Sequence, residues 1–134
     1  MDALAALRAK IPGFPGYEDA DARRLSDEQV RAYLGEALAA IGPRLSCPDP
    51  LPERYESTLL RVEFMNHAAF GVYESATLDG AGSIAMAAAD LAAVDLAEVA
   101  DAVDSASLGT YLDSVNAALD ERERVMRASA STLT

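Results

Sequence analysis

One stretch of the sequence carries four side chains that could do chemistry together. Glu56, Glu63, His67 and Glu74 lie within about 40° of one another when residues 53–74 are drawn as a helix. Carboxylates and an imidazole that project from one side of a helix can bind a metal ion or transfer a proton. One hypothesis is therefore that the chain is a helical bundle that binds a metal ion or a small ligand. Such a bundle could be an enzyme.

The spacing within this stripe favours a simpler interpretation. Carboxylate-bridged metal bundles repeat a Glu-x-x-His motif, whereas Glu63 and His67 are four residues apart and the chain has one histidine. At that spacing the two side chains can pair on a solvent-exposed helix face. We therefore expect the stripe to be a narrow solvent face, with no cofactor and no catalytic residue. A metal bound there would be an ion that prefers oxygen ligands, such as Mg²⁺ or Mn²⁺.

Charge is distributed unevenly along the chain. Eleven Lys and Arg against 22 Asp and Glu give a net charge of −11. No Lys or Arg lies between Arg61 and Arg122, and that stretch contains 11 acids. Such a surface can attract a basic protein partner or simply keep a protein soluble. The predicted interaction face consists of Asp90, Glu98, Asp101 and Asp104.

Composition argues against several classes of protein. An acidic chain lacks the basic surface that phosphate contacts require, so we predict no nucleic-acid binding. The most apolar window, residues 81–103, contains Asp90, Asp95, Glu98 and Asp101, so we predict no membrane span. A single cysteine excludes an internal disulfide and fits a reducing compartment. The acidic N-terminus does not resemble a signal peptide, so we predict a cytoplasmic protein.

Helix-forming residues predominate and alternating β-branched runs are missing, which predicts an all-α fold. Proline, glycine and capping residues divide residues 1–134 into a single-domain bundle of five or six helices. The predicted helices are approximately Ala3–Lys10, Asp27–Ile41, Glu53–Glu74, Ile84–Val94, Leu96–Asp104 and Leu108–Ala128.

Capping patterns and prolines set the predicted boundaries. Ser26 stands three residues before Gln29, a capping-box spacing that predicts the start of the second helix. Four prolines in residues 43–52 predict an extended connector. Asp95 and Glu98 repeat the capping spacing, so Asp95 could either begin a new helix or lie inside a continuous one.

The helix predicted over residues 53–74 is apolar around most of its circumference, which is typical of a helix in the middle of a bundle. The main functional hypothesis is a non-enzymatic interaction module that binds a protein partner, or a second copy of itself, through the acidic face. In the second case Arg122, Arg124 and Arg127 could contact the acidic face of the other copy.

Overall fold

The computed structural model describes residues 2–46, 49–63 and 80–131. These residues form five α-helices that pack into a bundle, and no strand occurs among them, so the all-α prediction is confirmed. The helices are α1 (Ala3–Lys10), α2 (Ala20–Ala39), α3 (Leu51–Glu63), α4 (Gly80–Glu98) and α5 (Leu108–Ser131). Two short 3-10 turns cover Gly42–Arg44 and Ala100–Ala102.

Helix α4 is the most enclosed element of the described bundle, because α1, α2 and α5 all pack against it. Its buried face is built largely from alanines, including Ala89 and Ala93, whose small side chains allow three neighbouring helices to approach closely. By length and apolarity alone α4 could also cross a membrane, and 39% of its most apolar window is buried by the rest of the chain.

Helix α3 differs from the predicted central helix over the residues described. It contacts α2 and α5, and only Thr58 and Val62 are fully buried. Leu60 is 55% exposed, although its type suggested a core position. The prediction placed every apolar residue of this helix in the core, whereas among the described residues only one side of α3 is covered, by α2 and α5. The rest of the predicted helix, residues 64–74, lies outside the described residues.

Helix α2 begins well before the predicted start. Its N-cap is Asp19, whose Oδ1 accepts a hydrogen bond of 2.7 Å from the backbone N–H of Ala22. Ser26 lies inside the helix, and its hydroxyl donates to the carbonyl of Gly16 at 2.7 Å. The capping-box interpretation was therefore wrong, because Ser26 uses its hydroxyl to hold the preceding loop rather than to cap a helix.

Helix α4 settles the alternative left open at Asp95. The helix is continuous through this residue to Glu98, and the 3-10 turn Ala100–Ala102 follows. It also begins at Gly80, four residues before the predicted start at Ile84. The predicted separate helix over Leu96–Asp104 is therefore not formed, and the carboxylate of Asp95 instead lies near α1.

The loop between α1 and α2 is fixed to both helices. Arg8 donates from Nε to the carbonyl of Phe14 and from Nη2 to the carbonyl of Pro15, each at 3.2 Å. Gly16 has a φ of 90°, a conformation that side-chain-bearing residues rarely adopt. Phe14 packs edge-to-face against Tyr17 with 6.0 Å between ring centroids. These contacts direct Tyr17 into the interior of the bundle, where it is 4% exposed.

Candidate functional site

Three charged residues meet in the interior of the bundle, and we call Asp27, Asp90 and Arg122 the buried charge cluster. They come from α2, α4 and α5 respectively. Arg122 places Nε 2.6 Å from Asp90 Oδ1 and Nη2 2.8 Å from Asp27 Oδ1. Arg122 and Asp90 are both 0% exposed, and Asp27 is 6% exposed. The cluster therefore joins three helices at one point.

Two further side chains complete the hydrogen bonding of the buried charge cluster. Tyr17 donates its hydroxyl to Oδ2 of Asp90. Arg31 donates from Nε to Oδ2 of Asp27 at 2.9 Å, which realises the i, i+4 spacing of these residues. All four carboxylate oxygens therefore accept a hydrogen bond, and two carboxylates face two guanidinium groups. This saturation favours a structural role over a reactive one.

The protonation of Asp90 reflects opposing influences. Burial raises its pKa above the usual value, because removal from water penalises the charged form. The charge of Arg122 and the hydrogen bond from Tyr17 favour the carboxylate and oppose that rise, while the neighbouring charge of Asp27 adds to it. The charge state of the cluster thus depends on keeping its members together.

The position of Asp90 corrects the predicted interaction face. Asp90 was expected on a solvent-exposed acidic face, but it lies in the core of the bundle. The sequence did hold a signal for this placement. Met86, Ala87, Val94 and Ala97 stand at helical spacing from it, and all are buried. What spacing could not reveal was the partner, Arg122, 32 residues along the chain.

The other three residues of the predicted face lie near the end of α4 and after it. Glu98 pairs with Lys10 of α1 at 2.5 Å. Asp101 is exposed in the 3-10 turn. Asp104 accepts a 2.8 Å hydrogen bond from the backbone N–H of Ser107, and this bond lowers the pKa of Asp104. Of these three, Asp101 alone has neither an ion pair nor a side-chain hydrogen bond among the contacts that the structure describes.

Ion pairs between distant parts of the chain cancel much of the charge imbalance seen along the sequence. Arg54 of α3 pairs with Asp113 of α5 at 2.6 Å. Two turns further along the same helices, Arg61 pairs with Asp120 at 2.5 Å. Together with the contact of Lys10, these pairs join basic residues of the first half to acids of the second. The acid-rich stretch is therefore less negative in the fold than its sequence indicates.

The two described residues of the predicted Glu/His stripe border different hollows. Glu56 lines a hollow of about 200 Å³ beside Tyr55 and Leu108. Glu63 lines a separate hollow of about 360 Å³ between α2 and α3. Their side chains are both exposed and do not share one site. His67 and Glu74 lie outside the described residues, so the stripe as a whole stays a prediction. Within the described residues no three potential ligands cluster closely enough for a metal ion.

The hollow beside Glu63 we call the α2–α3 groove. It is lined by Glu28, Arg31, Ala32, Gly35, Glu36, Ala39 and Glu63. Its lining combines small side chains with three carboxylates and one guanidinium, a set suited to contact with a positively charged surface. Glu28 and Glu36 had not been singled out from the sequence, because their spacing of eight residues on a mixed-charge helix resembles an ordinary solvent face.

Comparisons with known proteins identify no relative of this chain. No family model, no curated protein and no solved structure matches the chain.

Proposed function

We propose that the chain is a non-enzymatic interaction module of the cytoplasm that binds a basic protein partner through exposed carboxylates. The observation that supports this proposal is the charge left over after internal pairing. Glu28, Glu36, Glu63 and Asp101 are exposed and make no ion pair among the described contacts. A surface with such an excess attracts positively charged partners and raises their rate of association.

The basic residues whose contacts are described are largely committed to acids of the same chain. Lys10 binds Glu98, and Arg54 and Arg61 bind acids of α5. Arg124 contacts Glu121 at 2.5 Å on its own helix. Because these positive charges are already paired, the net charge of −11 is expressed mainly by carboxylates at the surface.

The same contacts favour a different protein over a second copy as the partner. In the self-association alternative, Arg122, Arg124 and Arg127 could contact the acidic face of another copy. Arg122 is 0% exposed and bound to Asp90 and Asp27, so it cannot reach another molecule. Arg124 already contacts Glu121. A separate basic protein would bring its own positive charge and would not depend on these arginines.

The proposal is tested with two labelled helical peptides of 20 residues. Both carry the same apolar stripe, and one has lysines where the other has glutamates. In fluorescence anisotropy we expect the lysine peptide to bind, and its affinity to fall on the order of tenfold between 50 and 200 mM salt because screening weakens the attraction. The glutamate peptide should not bind. Absence of lysine-peptide binding at 50 mM salt, or equal binding of both peptides, would refute the proposed function.

A further inference from the structure

We propose that the α2–α3 groove is the docking site for an amphipathic helix of a partner protein, one with lysine or arginine beside an apolar stripe. This inference rests on the proposed function, since it presupposes a basic partner. It adds where that partner binds and what shape it has.

The floor of the α2–α3 groove is made of small residues. Ala32, Gly35 and Ala39 follow one another at spacings of three and four, which places them on one face of α2. A Cβ atom added at Gly35 would lie 3.6 Å from Cγ1 of Val62, so α3 approaches this part of α2 closely. A volume of about 360 Å³ above this floor can receive several apolar side chains from one helix.

The rim of the α2–α3 groove is negatively charged. Glu28 and Glu36 belong to α2, Glu63 ends the described part of α3, and all three side chains are exposed. Arg31 also lines the groove, but its Nε binds Asp27 and its Nη1 donates to the carbonyl of Glu63 at 3.1 Å. Its charge is thus directed at the buried charge cluster, and the rim carboxylates remain available to bind a partner helix.

Shape and charge together determine the kind of occupant. An uncharged floor bordered by carboxylates complements a helix whose apolar stripe is bordered by basic residues, the arrangement found where helices bind in grooves. A metal ion is a poorer match, because among the described residues no three potential ligands lie close enough together to share one.

The first test compares two triple variants with equal changes of net charge. E28Q/E36Q/E63Q neutralises the rim, and the control E18Q/D49N/E53Q neutralises three exposed carboxylates outside it. With the lysine peptide, the rim variant should lose roughly tenfold in affinity and the control less than about twofold, because local pairing outweighs distant charge in salt. Circular dichroism of both variants verifies that the helices are intact.

The second test fills the groove without changing its charge. Ala32 is exposed, so A32W should fold normally while its indole occupies the space above the floor. We expect A32W to abolish binding of the lysine peptide.

The outcomes separate the two proposals. If both triple variants weaken binding equally, or if A32W binds normally, the basic partner does not dock in the groove and this inference fails while the proposed function stands. If the wild-type protein does not bind the peptide, the proposed function itself fails. A wild-type dimer that A32W converts to a monomer on size-exclusion chromatography would assign the groove to a second copy and overturn the inference.

Discussion

The Nε atom of Arg122 lies 2.6 Å from Oδ1 of Asp90, and both side chains are completely buried between α4 and α5. A buried pair of this kind adds little stability compared with apolar residues of the same volume, but the loss of one member leaves an uncompensated charge. We infer that the pair and its neighbour Asp27 fix the mutual placement of three helices.

Removal of the central guanidinium should therefore strongly destabilise the fold. In R122M, Asp27 loses one partner and Asp90 loses its only described cationic partner, which we expect to reduce the free energy of unfolding by about 3–5 kcal/mol. Urea denaturation followed by circular dichroism measures the loss. The matched control is R124M, two residues away on the exposed side, whose denaturation midpoint should stay close to that of the wild type. Equal losses in both variants would contradict the structural role of the cluster.

The buried charge cluster also illustrates where sequence reasoning succeeds and where it stops. Local spacing is enough to bring Asp27 next to Arg31, because the two stand four residues apart on one helix. It could not anticipate that Arg122, 95 residues from Asp27, bridges the same carboxylate to Asp90. Contacts of that kind depend on how helices pack, and helical periodicity predicts only which face is buried. Asp90 was predicted at the surface because it is charged. Its position among alanines that prove to be buried was the better guide.

The helices themselves were more predictable than the surface chemistry. The helix predicted over Ala3–Lys10 is confirmed with the same bounds. In the structure Asp2 caps its first turn, and Pro12 lies two residues beyond its last. The start of α2 was missed, since Asp19 and Ser26 are both good capping residues and only the packing of the loop decides between them. The α2–α3 groove was not predicted, because its lining comes from two helices whose relative placement is a tertiary property.

The start of α2 can be tested at its N-cap. The variant D19A removes the acceptor for the backbone N–H of Ala22, a loss that typically costs about 1 kcal/mol. We expect faster amide hydrogen exchange in the first turn of α2, around residues 20–23, and little change near residue 30. If the capping-box prediction at Ser26 were right, exchange over residues 20–25 would already be fast in the wild type and unaffected by D19A.

Tyr55 connects α3 to the end of α2 and should matter for stability. Its hydroxyl donates to the carbonyl of Leu38 at 2.6 Å and accepts from the N–H of Gly42 at 3.1 Å. Y55F leaves both backbone groups without this partner, so we expect a loss of about 1–3 kcal/mol in the free energy of unfolding. Thermal and urea denaturation measure it. The control Y33F changes a half-buried tyrosine of α2 for which no hydroxyl hydrogen bond is described. Its loss should be smaller, and an equal loss would contradict this assignment.

Tyr111 should give the protein a distinctive alkaline response. Burial raises the pKa of Tyr111 to about 12, and its hydroxyl donates to the carbonyl of Leu96 at 2.7 Å. The folded state therefore holds this proton after the unfolded chain has released it. The stability due to Tyr111 is fully present below about pH 10 and is lost as the pH rises toward 12.

Two measurements check this response. Absorbance at 295 nm should show a tyrosine ionisation near pH 12 that is missing in Y111F. Between about pH 10 and pH 12 the free energy of unfolding of the wild type should fall more steeply than that of Y111F. If the ionisation lost in Y111F lies near pH 10, the hydroxyl is not buried as described.

The central claim is that exposed carboxylates around the α2–α3 groove bind a basic partner, while the acids of the interior hold the bundle together. The most direct measurement is a titration of the ¹⁵N-labelled protein with the lysine peptide, followed by NMR. We expect the largest shifts of backbone amides at residues 28–39 and near Glu63, and we expect these shifts to diminish at high salt. The absence of shifts, or shifts centred on Asp101 and Asp104 instead, would contradict it.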